Sequence, residues 1–354
     1  MRTDHPANSP ASVTALAPGT YTYEVVGSNG SPYTNKLLAI LRFRRLPYVW
    51  YVRDPLTMPV ELAGPLRLMP MLRRPGAPRY ECDSTPLAHS LEALHPGVRS
   101  IVPPDPAAAF VSHLVEDYAD EWCTKLMFHY RWHDAEHAKW GARFVVSDVR
   151  PELSGPALEQ AVATFYERQR GRRELVGCGP SNAPLLEAHF AEWLAAMELL
   201  GGPASYVFGD RPSLADFGLY GQLSQLVLDP WPLSVVRDRA PGVENWVARL
   251  ADASGCEGAW SDSWAGSPAV RALLAMVGRA YLPFLVANAR AVEAGDATVS
   301  IEIDGHRCAQ PAFKYQLKCW REILARWRAL DGGSRAAIEP LLRDSGCLVT
   351  LQAG

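Results

Sequence analysis

The sequence predicts a small α/β domain, an all-helical domain after it, and then a mixed, mostly helical C-terminal extension. Three observations carry this. Between residues 21 and 100, β-rich runs alternate with apolar runs of helical period. From residue 105 to 253, beyond the stiff Pro103-Pro104-Asp105-Pro106 linker, helical runs succeed one another with no strand pattern between them. Past residue 254 the two-residue period returns at 297–303, among helical segments.

Residues 1–20 contain no apolar stretch of signal-peptide kind and read as a disordered leader. Residues 21–26 alternate and form a strand, 27–32 a Gly/Ser/Asn/Pro turn, and 33–45 a helix with apolar Leu37, Leu38, Ile40, Leu41 and Phe43. Tyr48-Val49-Trp50-Tyr51-Val52 is a second strand, which makes a βαβ unit with a right-handed crossover. Residues 53–69 are Pro-broken. A third strand begins at 69–72, a fourth lies at 78–81, and a helix covers 84–94. The order βαβ, hairpin, helix describes a thioredoxin-like domain over 21–100.

In the helical domain, helices are expected from 107 to about 139, then near 155–171, 184–200, 213–228 and 242–253. The extension, 254–354, should hold a helix from 267 to 293 kinked at Pro283, and a strand at 297–303 turning at Asp304-Gly305. Helices at 310–330 and 334–342 and a last strand at 347–351 complete it. Trp320 and Trp327, seven residues apart, form a packing stripe on the first of these helices.

Composition narrows the function classes. A net charge of -3 without a basic run argues against a dedicated nucleic-acid binder. No stretch approaches the roughly 20 apolar residues of a membrane-spanning helix, so no membrane partner is expected. Seven scattered cysteines with no CxxC pair suit reduced thiols in a cytoplasm, not a disulfide framework or zinc site.

Four short patterns bear on chemistry. Ser31-Pro32-Tyr33 stands at the first strand-to-helix turn, where Ser31 can cap the helix with Pro32 in its first turn. Met69-Pro70-Met71-Leu72 places a proline at the start of the third strand. Glu81-Cys82-Asp83-Ser84 puts an acid and a hydroxyl at the next helix N-terminus. Ser213-Leu214-Ala215-Asp216 is a capping box, and Ser213→Ala should cost about 1 kcal/mol.

In this order and spacing, over roughly residues 21–253, the chain resembles the glutathione S-transferase family. That resemblance implies a thioredoxin-like glutathione-binding domain followed by the family's all-helical domain. It also implies that Ser31 faces the glutathione sulfur as the catalytic residue, with Ser28 and Asn29 as neighbouring substitutes. Tyr33, Met69, Pro70 (in a cis peptide), Met71, Asp83 and Ser84 would bind glutathione, Asp83 taking its ammonium and Ser84 its γ-glutamyl carboxylate. Asp83 stands where the family more often has Glu, which shortens the reach. The family's long helix lines the substrate cleft, which here brings forward Trp122, Leu126, His129, Tyr130 and His133 on one helical side. An aromatic core stripe fits the same residues.

The implied activity is attack of a glutathione thiolate on a small electrophile, in a cytoplasmic homodimer, with glutathione as co-substrate and no metal. His129, His133 and His137 recur every four residues, but no further ligand accompanies them. A disulfide reductase is disfavoured because Ser, not Cys, stands at 31. A non-catalytic binding or scaffold protein on the same fold is the competing reading.

Overall fold

The computed structural model describes residues 22–354 except positions 65, 98, 203 and 204; the leader expected over 1–20 lies outside the described residues. β1 (Tyr23–Gly27), α1 (Pro32–Phe43) and β2 (Tyr48–Val52) form the βαβ unit, with β1 and β2 parallel and Tyr23 opposite Tyr48. After the short turn α2 (Val60–Ala63), β3 (Met71–Arg73) pairs antiparallel with the other side of β1, and β4 (Glu81–Cys82) pairs with β3. The sheet order is therefore β2-β1-β3-β4, and α3 (Ser84–Leu94) follows. The fourth strand lies slightly later than the 78–81 expected.

The long helix expected to run to about 139 is three pieces. α4 (Pro106–Tyr118) begins at Asp105, whose carboxylate accepts the Ala107 and Ala108 N–H groups. It widens into a π turn at Ala119–Cys123 and continues as α5 (Thr124–Trp132). Asp134 then accepts from the Glu136 and His137 N–H groups and starts a new helix, α6 (Ala135–Val149). α7 (Gly155–Gly171), the short α8 (Arg173–Val176), α9 (Ala183–Glu198), α10 (Leu214–Leu226), α11 (Pro230–Arg239) and α12 (Pro241–Ala251) follow. α11 was not foreseen because Pro230 and Pro232 read as breakers. Both fall in its first turn, where a missing N–H breaks no helical bond.

In the extension, α13 (Pro268–Met276) passes through a second π turn, Val277–Tyr281, into α14 (Leu282–Ala294), so the interruption falls just before Pro283. This continuous 27-residue stretch is, against expectation, long and apolar enough to cross a membrane. However, 67% of its most apolar window is buried inside the fold, as in a core helix. β5 (Thr298–Ile303) and β6 (His306–Pro311) form a hairpin turning at Asp304 and Gly305, whose φ values are 50° and 74°. β6 runs on through Pro311, so the next helix, α15 (Lys314–Ala329), starts later than expected; α16 (Gly332–Asp344) follows.

The strand expected at 347–351 is instead a helix, α17 (Cys347–Ala353). Its buried Cys347, Leu348 and Leu351 share one helical face, and so short an apolar run fits either period.

One hydrophobic cluster runs from Tyr23 to Leu351 and joins all three parts. Trp320 and Trp327 of α15 are buried in it, with Trp327 5.6 Å from the Phe110 ring of α4. The extension is thus built into the core.

Candidate functional site

The strand register assembles the site. Val26 at the end of β1 lies opposite Met71 at the start of β3, and Met71 lies opposite Cys82 at the end of β4. The chain leaving β1 toward Ser31, the cis Met69–Pro70 peptide and the Asp83-Ser84 start of α3 therefore share one end of the sheet. Two helix N-termini, those of α1 and α3, open onto that end.

Ser31 is the N-cap of α1. Its Oγ accepts the Thr34 N–H at 3.2 Å, and its side chain is partly exposed. The loop before it is held from the helical domain. Asp148 of α6 accepts from Ser28 Oγ, the Asn29 N–H and Asn29 Nδ2, each at 2.8 Å. The buried Arg131 of α5 donates to the Gly30 carbonyl at 3.0 Å and is itself fixed by Asp229 and Gln225. Tyr33 donates from its hydroxyl to the Asp120 carbonyl at 2.9 Å.

Asp83 has φ 82° and ψ 107°, a left-sided conformation that non-glycine residues seldom adopt and that concentrates at functional sites. Its carboxylate accepts the Tyr315 hydroxyl of α15 at 2.8 Å, with the Lys318 ammonium 3.7 Å away. Burial, and then the Asp83 charge, push the Tyr315 phenol well up. Ser84 is buried, with its hydroxyl 3.5 Å from Asp120.

Behind these residues lies a buried ionic cluster. The Lys36 ammonium donates to Glu116, to Asp120 at 2.6 Å and to Thr85 Oγ1 at 3.2 Å. Burial alone would lower the Lys36 pKa, but the Asp120 and Glu116 charges outweigh it and hold it above the ordinary value. Asp120 is pushed up to about 7 by burial, against Lys36. Glu121 also rises to about 7, through burial and then the Asp120 charge, against Lys125 and a hydrogen bond with Gln316.

The residues singled out on the long helix lie elsewhere. Trp122, Leu126, His129 and Tyr130 are buried. Trp122 donates to His189 Nδ1 at 3.2 Å and packs on Tyr281 and Phe284; Tyr130 packs on Phe190 and Trp231; His129 meets Glu187. His133 is half-buried, its Nδ1 2.8 Å from Arg173. This side of the helix faces α9, α11 and the extension rather than Ser31, because α13 and α14 supply an apolar partner. The face toward Ser31 is Asp120, Thr124 and Arg131. His129, His133 and His137 do not converge: His137 stacks on Trp231 and pairs with Asp134.

Lys36, Glu116, Asp120, Arg131, Asp148 and Tyr315 were not foreseen. The available signals were a lysine inside the apolar run of α1 and four acids, Glu116, Asp117, Asp120 and Glu121, within an otherwise apolar helix.

Residues 25–99 match the glutathione S-transferase N-terminal domain, and residues 156–249 match the glutathione S-transferase C-terminal domain. No curated protein sequence matches the chain. Among solved structures, it is similar to a glutathione S-transferase from Methylobacterium radiotolerans in complex with glutathione sulfonate, at 23% identity and TM-score 0.41, covering 70% of this chain and 94% of that one. A β-etherase from Sphingobium sp. gives 17% identity and TM-score 0.44, covering 64% and 94%. Glutaredoxin 2 from Salmonella typhimurium in complex with glutathione gives 16% and 0.43, covering 67% and 96%.

Proposed function

The chain belongs to the glutathione S-transferase family, and from that premise we propose that it binds glutathione and activates the thiol for attack on a small electrophile. The observation that carries the reading is the shared sheet end on which Ser31, the cis Met69–Pro70 peptide and Asp83-Ser84 meet. Glutathione lies across it, with the backbone around Pro70 and Met71 facing its peptide and its γ-glutamyl end at Asp83 and Ser84. Its sulfur lies at Ser31, beside Tyr33.

The chemistry is thiolate stabilisation. A thiol of pKa about 8.5 is only roughly 3% ionised at pH 7, and lowering it by about two units raises that to roughly 75%. As an N-cap, Ser31 spends an oxygen lone pair on Thr34, and its hydroxyl proton is the group that donates to the thiolate. The positive end of α1 acts in the same direction. Ser at this position favours conjugation over mixed-disulfide exchange. A cytoplasmic homodimer, as in the resemblance, belongs to the same proposal, and light scattering on the 38.9 kDa chain tests the assembly.

One observation favours the non-catalytic reading: Tyr315 already donates to the Asp83 carboxylate that would take the ligand's ammonium. Titration calorimetry with glutathione decides, using wild type, Ser31→Ala, Asp83→Asn and Tyr315→Phe, with thiolate absorbance followed in parallel. The expected result is micromolar to millimolar binding, weakened about tenfold or more by Asp83→Asn. Ser31→Ala should bind but no longer lower the thiol pKa. No binding to wild type, together with binding to Tyr315→Phe, means that the extension holds the site shut. No binding to either overturns the enzyme reading.

A further inference from the structure

We propose a divalent transition-metal site of zinc type where α3, α4 and α15 meet, with His89, His113 and Glu322 as protein ligands and Glu116 orienting His113. One ligand atom from each of the three residues lies within 4.8 Å of the others. Tetrahedral zinc holds its donors at about 2.0–2.2 Å, hence roughly 3.4 Å apart, so the side chains need close by only about 1–1.5 Å.

The second observation is His113 itself. It is 3% exposed, and among the described residues neither of its ring nitrogens has a hydrogen-bond partner. A buried imidazole with both nitrogens unsatisfied is costly, and an ion is one of the few things that accounts for it. Glu116 Oε2 is likewise buried without a partner and stands 3.7 Å from His113 Nδ1. A metal on Nε2 would leave Nδ1–H to donate to Glu116, the carboxylate–histidine–metal arrangement in which the carboxylate fixes the ring. Glu116 is anchored in turn by Lys36 and by Thr85.

In the metal-free chain a cation already occupies the neighbourhood. Arg326 NH2 lies 3.1 Å from His89 Nε2 and donates to Glu322 Oε1 at 2.9 Å. Arg326 is half-buried on the outer side of α15 and has a path to solvent. The incoming ion displaces that guanidinium, takes His89 and Glu322 from it, adds His113, and keeps a water in the fourth position. Two imidazoles and one carboxylate suit zinc and its first-row neighbours better than magnesium or calcium. Because the ligands come from the thioredoxin-like domain, the helical domain and the extension, the ion staples all three.

The test is titration of the chelator-stripped full-length protein with Co2+, read by visible absorption and by melting temperature. The expected result is one ion per chain, with the d–d bands of four-coordinate cobalt, no sulfur charge-transfer band and a raised melting temperature. His89→Ala and the conservative surface change Glu322→Gln should each weaken uptake by at least about tenfold. Arg326→Gln should tighten it several-fold by removing the competing cation. A wild-type chain that takes up no cobalt, binds it through sulfur, or binds it equally well in His89→Ala and Glu322→Gln overturns the proposal.

Discussion

At residue 30 the loop that carries Ser31 has no room for a side chain. A Cβ there would come within 2.5 Å of Val145 Cγ2 on α6, about 1 Å closer than carbon atoms rest. Val145 is β-branched and set on a helix, so it has little rotamer freedom with which to give way. Gly30→Ala must therefore push the loop off α6, against Arg131 on the Gly30 carbonyl and Asp148 on Ser28 and Asn29. The expected outcome is a loss of about 1–3 kcal/mol of stability and a glutathione affinity lowered about tenfold. Adding Val145→Ala should restore both, because it removes the clashing methyl. A double variant as impaired as the single one would show that the Val145 contact is not what fits the loop to α6. Thermal melts and calorimetry on the three proteins provide the comparison.

At the scale of elements, the π turn at Ala119–Cys123 places Asp120 and Glu121 in the protein interior near Lys36, Lys125, Asp83 and Gln316. Glu121 keeps its proton to about pH 7 in the fold but only to about 4.5 when unfolded. The folded state thus binds more protons between these values. The stabilisation this gives is complete below about pH 4.5 and is lost as pH rises through 7, with a slope of at most about 1.4 kcal/mol per unit. Asp120 acts in the same direction. Urea denaturation from about pH 5 to 8 should show wild type losing more stability with rising pH than Glu121→Gln, which has no charge to bury. Parallel curves would refute this.

The same turn marks how far the sequence was legible. The βαβ unit, α3 and the capping box were readable because each rests on a local signal: alternation, an N-cap hydroxyl, or a Ser and Asp three residues apart. The box is present, Asp216 accepting from the Ser213 N–H at 2.8 Å and from its Oγ at 2.6 Å. Ser31, Pro70 and Asp83 were readable for the same reason. Asp148 on the Ser28 loop and Tyr315 on Asp83 were not, since each joins residues more than a hundred positions apart. The aromatic side of the long helix was assigned to a cleft because nothing local indicates that a later segment will cover it.

At the scale of the molecule, that later segment makes residues 254–354 indispensable to the fold. Without it Trp122 would lose Tyr281 and Phe284, and Tyr118 would lose Tyr281. Buried polar groups would be stranded as well. Asp117 accepts from the Tyr281 hydroxyl at 2.5 Å, and Lys125 donates to Gln310 at 2.6 Å. Each such group left unpaired costs about 1–3 kcal/mol or more, against a typical whole-domain stability of about 5–15 kcal/mol. A chain ending at residue 253 should therefore show no cooperative melt, whereas the full chain should unfold in a single transition because one core joins its three parts. Scanning calorimetry on both chains checks this. An extension merely appended to a self-sufficient pair of domains would instead give two transitions in the full chain, and the shortened chain would keep the one belonging to the domains. The stranded Asp117 and Lys125 make that outcome the less stable alternative.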